Sequence, residues 1–186
     1  MIFKHDLGGG VDLRILELRH APALLTLIEE NRTYFGEWLG WADTIATVEE
    51  AQSFIKRGMT CLAEDGLPWC GIWLHDRMVG GVLCFPVERR IRATSIGYWL
   101  SQQATGQGIM TRAARAMLGF AFDDLSLNRV ALEAEVGNVR SRAVAERLGF
   151  TFEGIRRHGW VNRGQFVDIA VYSLLASDWQ GQKAAQ

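Results

Sequence analysis

The sequence predicts a mixed α/β fold, organised as a single domain over residues 1–186. The length of 186 residues suits one hydrophobic core. Segments in which apolar and polar residues alternate, as in strands, are interspersed with segments in which apolar residues recur every three or four positions, as in helices. No internal repeat or linker interrupts this pattern.

The amino-terminal half predicts a strand, two helices and a hairpin, in that order. The first helix tolerates Pro22 in its first turn, and the second begins with a capping box formed by Thr47 and Glu50. The aromatic segment Tyr34–Trp41 fits neither period and predicts a loop, while Gly8–Gly10 predicts a flexible lead into the strand. The predicted elements are strand Val11–Leu18, helices Ala21–Asn31 and Thr47–Glu64, and hairpin strands Trp69–Leu74 and Met78–Phe85.

The carboxyl-terminal half predicts four further strands and two helices. In one of these strands Glu133 and Glu135 share the polar face, and one helix ends at Gly149, which suits a left-handed cap. A loop around Trp160–Gly164 is expected between the last two strands, and residues 180–186 predict a disordered tail. The predicted elements are strands Thr94–Leu100, Arg129–Val136, Thr151–Gly154 and Val167–Leu175, and helices Met110–Leu125 and Val139–Leu148.

The composition argues against several classes of protein. A formal net charge of -1, with 48% hydrophobic and 22% charged residues, does not indicate a nucleic-acid surface. An odd number of cysteines without CxxC spacing predicts neither a disulfide framework nor a zinc site, and the histidines show no metal-ligand spacing. The chain shows no signal-peptide pattern and no apolar run long enough for a membrane span. We therefore expect a cytoplasmic protein without a metal or membrane partner.

The segment Gln103–Gly108 follows a predicted strand and precedes a predicted helix. In this arrangement, unpaired backbone N–H groups and the helix dipole favour a bound phosphate. The dinucleotide pattern G-x-G-x-x-G fails at Thr111 and Arg112, and the Gly-Lys-Ser/Thr of a P-loop is missing. Alone, the segment could equally be a tight turn.

Together with Asn138-x-x-Ser141 and Leu148-Gly149-Phe150, this Q-x-x-G-x-G segment resembles the GNAT superfamily of acetyl-coenzyme A-dependent N-acetyltransferases. The resemblance covers nearly the whole chain. It implies a mostly antiparallel central sheet with splayed strands, flanked by helices. Ile96–Leu100, Gly106–Met110 and Tyr172–Leu175 look like the bacterial ribosomal-protein N-terminal (serine/alanine) acetyltransferases of the Rim type.

The resemblance implies that acetyl-coenzyme A lies where strand Ile96–Leu100 separates from Arg129–Val136. Ser141 would act as general acid toward the thiolate, and Asn138 would hydrogen-bond the pantetheine arm. Each has an alternative: Asn138 as a helix cap and Ser141 as a small first-turn residue. The predicted cofactor-binding residues are Ile96, Tyr98, Leu100, Gln103, Gly106, Gln107, Gly108, Ile109, Met110, Thr111, Asn138 and Ser141.

The general base is less clear from the sequence. Relatives of the ribosomal type can carry a glutamate in the loop before the final strand, where this chain has Trp160. Glu135 and His158 are alternative bases, each of which could instead be a solvated surface residue. We predict Glu135 as the second catalytic residue, and Trp38, Trp41 and Trp160 as acceptor-binding residues. Core packing or a subunit contact would explain Trp38 and Trp41 equally well.

The expected reaction is direct attack of a primary amine on acetyl-coenzyme A in a ternary complex. The missing glutamate favours an α-amine acceptor at a protein terminus, because an α-amine is more often neutral than a lysine. The resemblance implies that a ribosomal protein could supply this terminus. Two alternatives stay open: acetylation of a small-molecule amine such as an antibiotic, polyamine or amino acid, and a non-catalytic acyl-coenzyme A sensor. The resemblance also suggests a homodimer.

Overall fold

A computed structural model describes residues 4–184, which form one eight-stranded sheet flanked by five α-helices. The sheet order is β1-β2-β3-β4-β5-β6-β8-β7, and every neighbouring pair is antiparallel except β5 and β6. The mixed α/β, mostly antiparallel prediction is confirmed. The strands are β1 (Lys4–Gly8), β2 (Val11–Ile15), β3 (Cys70–Leu74), β4 (Arg77–Cys84), β5 (Ala93–Leu100), β6 (Arg129–Glu135), β7 (Thr151–Asn162) and β8 (Gln165–Leu175). The helices are α1 (Ala21–Gly36), α2 (Val48–Asp65), α3 (Ile109–Gly119), α4 (Val139–Arg147) and α5 (Ala176–Ala184).

Two hydrophobic clusters form the core, one on each face of the sheet. One contains buried residues of α1 and α2, and the other contains those of α3 and α4 together with Trp179 of α5. Because side chains alternate along a strand, Ile96 of β5 joins the α3 cluster while Trp99 joins the α1 cluster. Among residues 4–184, no helix is long and apolar enough to cross a membrane.

The strands β5 and β6 run parallel and separate halfway along their length. Their pairing runs from Ala93 opposite Arg129 to Ile96 opposite Leu132. Beyond that point β5 stays paired to β4 as far as Leu100, whereas β6 stays paired to β8 as far as Glu135. The separation matches the splay that the family resemblance implies, and it leaves backbone groups on the facing edges without a strand partner.

The amino-terminal glycines form a tight turn, so the predicted flexible lead was wrong. Gly8, Gly9 and Gly10 have φ of 78°, 62° and 73° and join β1 to β2 as a hairpin. Glycine adopts such left-handed conformations without the steric cost of a Cβ. The Arg112 guanidinium of α3 donates to the Leu7 and Gly8 carbonyls at 3.2 Å and holds this hairpin in place.

Helix α1 is longer than predicted and includes the start of the aromatic segment. Asn31, the predicted end, lies inside the helix, where its buried side chain donates to the Leu27 carbonyl at 2.9 Å. Phe35 is buried in the last turn of α1, so the loop prediction was wrong for Tyr34–Gly36. The Arg32 guanidinium then donates to the Ala42 and Ile45 carbonyls and fixes the segment that follows.

The last two strands are longer than predicted, and the loop expected around Trp160 was wrong. β7 continues to Asn162, and a two-residue turn at Arg163 and Gly164, with φ of 48° and 74°, leads into β8. A register shift between Arg156 and Trp160 interrupts the alternation of the strand. This bulge explains why the sequence pattern resembled a loop.

The predicted disordered tail was also wrong for its first residues. α5 continues to Ala184, while residues 185–186 lie outside the described residues. The Trp179 ring stacks on Phe122 with ring centroids 5.8 Å apart, and its indole N–H donates to Asp123 at 3.2 Å. Gln182 donates to the Leu148 carbonyl at 3.2 Å, so packing against the preceding elements orders this polar segment.

Glu153 of the edge strand β7 forms hydrogen bonds to residues of the neighbouring strands β6 and β8. Its carboxylate accepts two hydrogen bonds from Arg129 at 2.7 and 2.6 Å and one from Ser173 at 2.8 Å. The Arg129 guanidinium, helped by Ser173, lowers the pKa of Glu153 to about 2. A folded-state pKa below the unfolded value stabilises the protein above the unfolded pKa, and the contribution is lost as the pH falls toward 2.

We therefore expect Glu153→Gln to lower the free energy of unfolding by about 1 kcal/mol at pH 7, a value discounted for screening because the carboxylate is 38% exposed. The difference from the wild type should shrink between about pH 4.5 and pH 2, because over this range the Glu153 carboxylate takes up a proton in the unfolded state before it does in the folded state. Urea unfolding at several pH values measures it. A difference that stays constant down to pH 2 would contradict this assignment.

Candidate active site

A groove of about 910 Å³ opens where β5 and β6 separate. The end of β5, the start of α3 and the start of α4 form its walls, and the carboxyl-terminal end of α1 borders it at another edge. Its volume is in the range of small-molecule and cofactor sites. The predicted site residues that line it are Trp38, Tyr98, Leu100, Gly106, Gly108, Ile109, Met110, Thr111, Asn138 and Ser141.

The phosphate loop, residues Gln103–Gly108, leads into α3 at the floor of the groove. Gly106 and Gly108 have φ of 79° and 69°, and a Cβ on either would meet no atom within 4 Å, so the backbone surface is open. No side chain of residues 4–184 caps α3 at Gly108. The first N–H groups of α3 are thus free to bind an anion, together with the positive end of the helix dipole.

Asn31 of α1 fixes the entrance to this loop. Its side-chain oxygen accepts the Gln102 N–H at 3.1 Å, while its amide nitrogen donates to Leu27. The sequence gives no local sign of this contact, because 71 positions separate the two residues. The buried Asn31 side chain therefore sets where the phosphate loop begins relative to α1.

Asn138 caps α4, as the alternative interpretation of this residue expects. Its Oδ1 accepts the backbone N–H of Ser141 at 3.1 Å. The amide nitrogen of the same side chain has no hydrogen-bond partner within the described part of the chain, and Asn138 lines the groove. Capping with the oxygen leaves the nitrogen free for a carbonyl in the groove, so the two roles are compatible.

Ser141 and Tyr98 meet across the gap between α4 and β5. The Ser141 hydroxyl donates to the Tyr98 hydroxyl at 3.2 Å, and Tyr98 donates to the Ser141 carbonyl at 3.0 Å. Burial raises the pKa of Tyr98 to about 12, so its hydroxyl keeps its proton at neutral pH. The pair therefore forms a directed hydrogen-bond chain with one serine hydroxyl in the groove wall.

Glu135 lies at the end of β6, beside the groove rather than on its lining. Its carboxylate accepts a hydrogen bond from the Asn162 side chain at 2.6 Å, and the same amide donates to the Glu37 carbonyl at 2.8 Å. Burial raises the pKa of Glu135, and this effect outweighs the opposite effect of the Asn162 bond. A carboxyl with a raised pKa is better suited to accept a proton near neutral pH.

Several predicted site residues lie away from the groove lining. Trp41 packs between Phe54, at a centroid distance of 4.7 Å, and Trp99, at 5.1 Å, so the core-packing alternative describes it. Trp160 is 66% exposed on the edge strand β7. The predicted cofactor-binding residues that do not line the groove are Ile96, which is buried in the α3 cluster, and Gln103 and Gln107, which are linked by a side-chain hydrogen bond.

The position of His158 argues against its alternative role as a base. Its ring stacks on Phe166 with centroids 5.4 Å apart, and its backbone N–H donates to Asp168 at 2.8 Å. It does not line the groove. Neither His158 nor Trp160 lies on the groove lining, although both belong to the stretch where relatives can carry a glutamate.

Sequence reasoning singled out none of six polar groove residues as individual site residues: Tyr34, Glu37, Gln102, Thr105, Arg140 and Arg147. Arg140 donates to the Tyr34 hydroxyl at 3.2 Å and connects α4 to α1, while Arg147 lies 3.4 Å from the Thr111 hydroxyl near the phosphate loop. The helical spacing of Arg140, Val144 and Arg147 places them on one face of α4, which was the available signal. The groove thus has the Arg147 cation near the loop, and the Arg140 cation and the Glu37 carboxylate near the end of α1.

Comparison with known proteins gives one consistent result. A family model described as an acetyltransferase (GNAT) domain matches residues 11–151. A putative ribosomal N-acetyltransferase, YdaF, from Bacillus subtilis (strain 168) is 34% identical over 183 residues, which span 98% of this chain and 100% of the relative.

Two solved structures resemble the chain over most of its length. One is the ribosomal L7/L12 alpha-N-protein acetyltransferase RimL in complex with coenzyme A, with a TM-score of 0.88, 25% identity and coverage of 95% of this chain and 99% of that one. The other is the microcin C7 self-immunity acetyltransferase MccE in complex with acetyl-coenzyme A and AMP, with a TM-score of 0.84, 26% identity and coverage of 91% and 94%.

Proposed function

The chain belongs to the GNAT acetyltransferase family, and we propose that it transfers the acetyl group of acetyl-coenzyme A to the α-amine at a protein amino terminus. Acetyl transfer to an amine, with acetyl-coenzyme A as the acetyl donor, is the activity of the family. The α-amine acceptor, the roles of individual residues, a cytoplasmic setting and a homodimer are proposals. The observation that carries the acceptor and the residue roles is a groove with an open glycine loop near one end and the Glu37 carboxylate near the other, with Glu135 beside it.

Acetyl-coenzyme A fits the residues present. The open glycine backbone and the uncapped amino terminus of α3 suit its pyrophosphate, with Arg147 as a nearby cation. Asn138 and the edge of β5 beyond Ile96 offer hydrogen bonds to the pantetheine arm. When bound there, the cosubstrate supplies an acetyl thioester. Backbone N–H groups of the β5 edge would stabilise negative charge on the carbonyl oxygen during attack.

Ser141 is the proposed general acid. Its hydroxyl lies in the groove wall, and Tyr98 supports it from behind with two hydrogen bonds. By rotating toward the departing sulfur, the Ser141 hydroxyl can transfer its proton there. Tyr98 is protonated at neutral pH, and by turning its hydroxyl from the Ser141 carbonyl to Ser141 Oγ it can donate a hydrogen bond there as this proton leaves.

Glu135 is the proposed base for the acceptor, acting directly or through water. An α-amine needs little help, because its pKa of about 7.7–8.0 leaves roughly a tenth neutral at pH 7, against under a thousandth of a lysine side chain. Glu37 on the groove lining and Glu135 beside it place two carboxylates at this end, where the Arg140 guanidinium also lies, and a carboxylate can attract a cationic amine. The names of YdaF and RimL support a protein amino terminus as acceptor.

A thiol-release assay with acetyl-coenzyme A over an acceptor panel tests the proposal. The panel contains peptides with a free amino terminus, the same peptides with a blocked terminus and one lysine, and small amines such as polyamines and amino acids. We expect acceptor-dependent thiol release with the free-terminus peptides. Faster turnover of small amines would instead favour the small-molecule alternative. Tight coenzyme A binding without any acceptor-dependent thiol would favour the sensor alternative.

A further inference from the structure

Asn162, the last residue of β7, connects two parts of the chain beside the acceptor end of the groove. Its Nδ2 donates to Glu135 Oε1 at 2.6 Å and to the Glu37 backbone oxygen at 2.8 Å. Glu37 lines the groove, as does Gly137, two residues after Glu135. One side-chain amide thus joins β6, the β7–β8 hairpin and the end of α1.

The chemistry of its partners fixes the orientation of this amide. A carboxylate and a carbonyl are both acceptors, so only the NH₂ end of Asn162 can face them. The Oδ1 of the same amide is buried, and no residue within 4–184 donates to it. A buried acceptor without a partner is unfavourable. The side chain is therefore held by its two donated bonds, and such local conflicts are typical of functional positions.

We propose that Asn162 is a positioning residue, which holds the Glu135 carboxylate at the acceptor end of the groove and couples the β7–β8 hairpin to the end of α1. This role rests on the proposed function, in which Glu135 receives the acceptor proton. An uncharged donor suits that task, because it orients the carboxylate without neutralising its charge. Glu133 shows the contrast: it lies two residues earlier on the same face of β6, and it is paired with the Arg156 cation.

The other charged groups near Glu135 do not contact its carboxylate, and each lies against other parts of the described chain. From β8, the Asp168 carboxylate accepts the His158 N–H. From the turn after Asn162, the Arg163 guanidinium lies beside Gly36 and the Asp43 carboxylate. From α1, Glu37 contributes its backbone oxygen to Asn162 and its side chain to the groove region. Burial and the Asn162 bond, acting in opposite directions, set the pKa of Glu135.

The variants Asn162→Ala and Asn162→Leu test the proposal. Both remove the donor without adding a charge beside Glu135, and Leu keeps the approximate size of the side chain, so it serves if the Ala variant fails to fold. Since the Asn162 bond lowers the pKa of Glu135, its loss should move the acidic limb of the kcat/KM profile to higher pH. We expect kcat/KM for the acceptor at pH 7 to fall by about tenfold, with the Kd for coenzyme A unchanged.

Two matched controls separate positioning from a structural role. Gln165 pairs with Asn162 across the hairpin and is exposed, so Gln165→Ala should leave the pH profile unchanged. Glu133→Gln should also leave the acidic limb in place, whereas Glu135→Gln should abolish it. An unmoved limb in both Asn162 variants would overturn the proposal, as would an equal shift in Gln165→Ala.

A second readout separates this proposal from the proposed function. Should the wild type release no acceptor-dependent thiol with any amine, the proposed function fails, and the Glu135 titration can still be followed by carboxyl-carbon NMR in the free protein. A higher titration midpoint in Asn162→Leu would support the positioning role. An identical midpoint in the wild type and the variant would overturn it.

Discussion

Replacing Ser141 with Ala should lower kcat by about 100-fold or more, because the proposed role is that of a positioned general acid, which contributes roughly 10²–10⁴ to the rate. The Kd for coenzyme A should not change, since the hydroxyl is bonded to Tyr98 and the α4 cap uses only the Ser141 backbone N–H. Steady-state kinetics and calorimetric titration with coenzyme A measure the two quantities. The loss should appear in kcat and kcat/KM alike, as expected for an interaction made in the transition state.

Two other variants make the Ser141 result interpretable. Tyr98→Phe keeps the ring and removes only the hydroxyl that supports Ser141, so we expect a smaller loss of kcat than for Ser141→Ala. Ser53→Ala removes a serine hydroxyl from the exposed face of α2 and should have no effect on kcat. An unchanged kcat in Ser141→Ala would remove this residue from the mechanism.

Replacing Gly108 with Val should raise the Kd for coenzyme A by about 100-fold. A β-branched residue is strongly disfavoured at the φ of 69°, so the loop must rearrange and withdraw backbone N–H groups from the anion. The loss of two hydrogen bonds to a charged group, at about 1.5 kcal/mol each, corresponds to that factor. The open space beside Gly108 means that the new side chain would also occupy the groove.

The matched control for this prediction is Gly66→Val. Gly66 ends α2 with a φ of 74° and does not line the groove, so it imposes similar backbone strain elsewhere. Both variants should lose stability in thermal unfolding, but only Gly108→Val should weaken coenzyme A binding in calorimetric titration. Equal Kd values for the two folded variants would contradict the assignment of the phosphate loop.

The features that could be predicted from the sequence are those encoded over a few residues. The capping box of α2 forms as expected, with Thr47 and Glu50 each accepting the other's backbone N–H. Gly149 adopts the left-handed conformation, with φ of 79°, that the end of α4 requires. The glycine segment and Asn138-x-x-Ser141 lie on one groove because each directly precedes or begins a helix whose start faces the splay.

The features that could not be predicted depend on contacts between distant residues. Trp41 and Trp38 belong to the same aromatic segment, yet the first packs on Phe54 and the second lines the groove. Nothing in their spacing distinguishes them, because Trp41 is buried by Phe54 of α2, whereas Trp38 lies beside Gly137, just before α4. Asn162 contacts Glu37 across 125 positions, and the bulge in β7 obscured the strand that carries it.

The site of acetylation on a peptide that carries one free α-amine and one lysine tests the central claim most directly. The protein is incubated with acetyl-coenzyme A and this peptide near neutral pH, and tandem mass spectrometry locates the acetyl group. The proposed acceptor chemistry predicts acetylation of the α-amine, at a rate that falls with Ser141→Ala. Acetylation of the lysine alone, or none above the rate without protein, would contradict it.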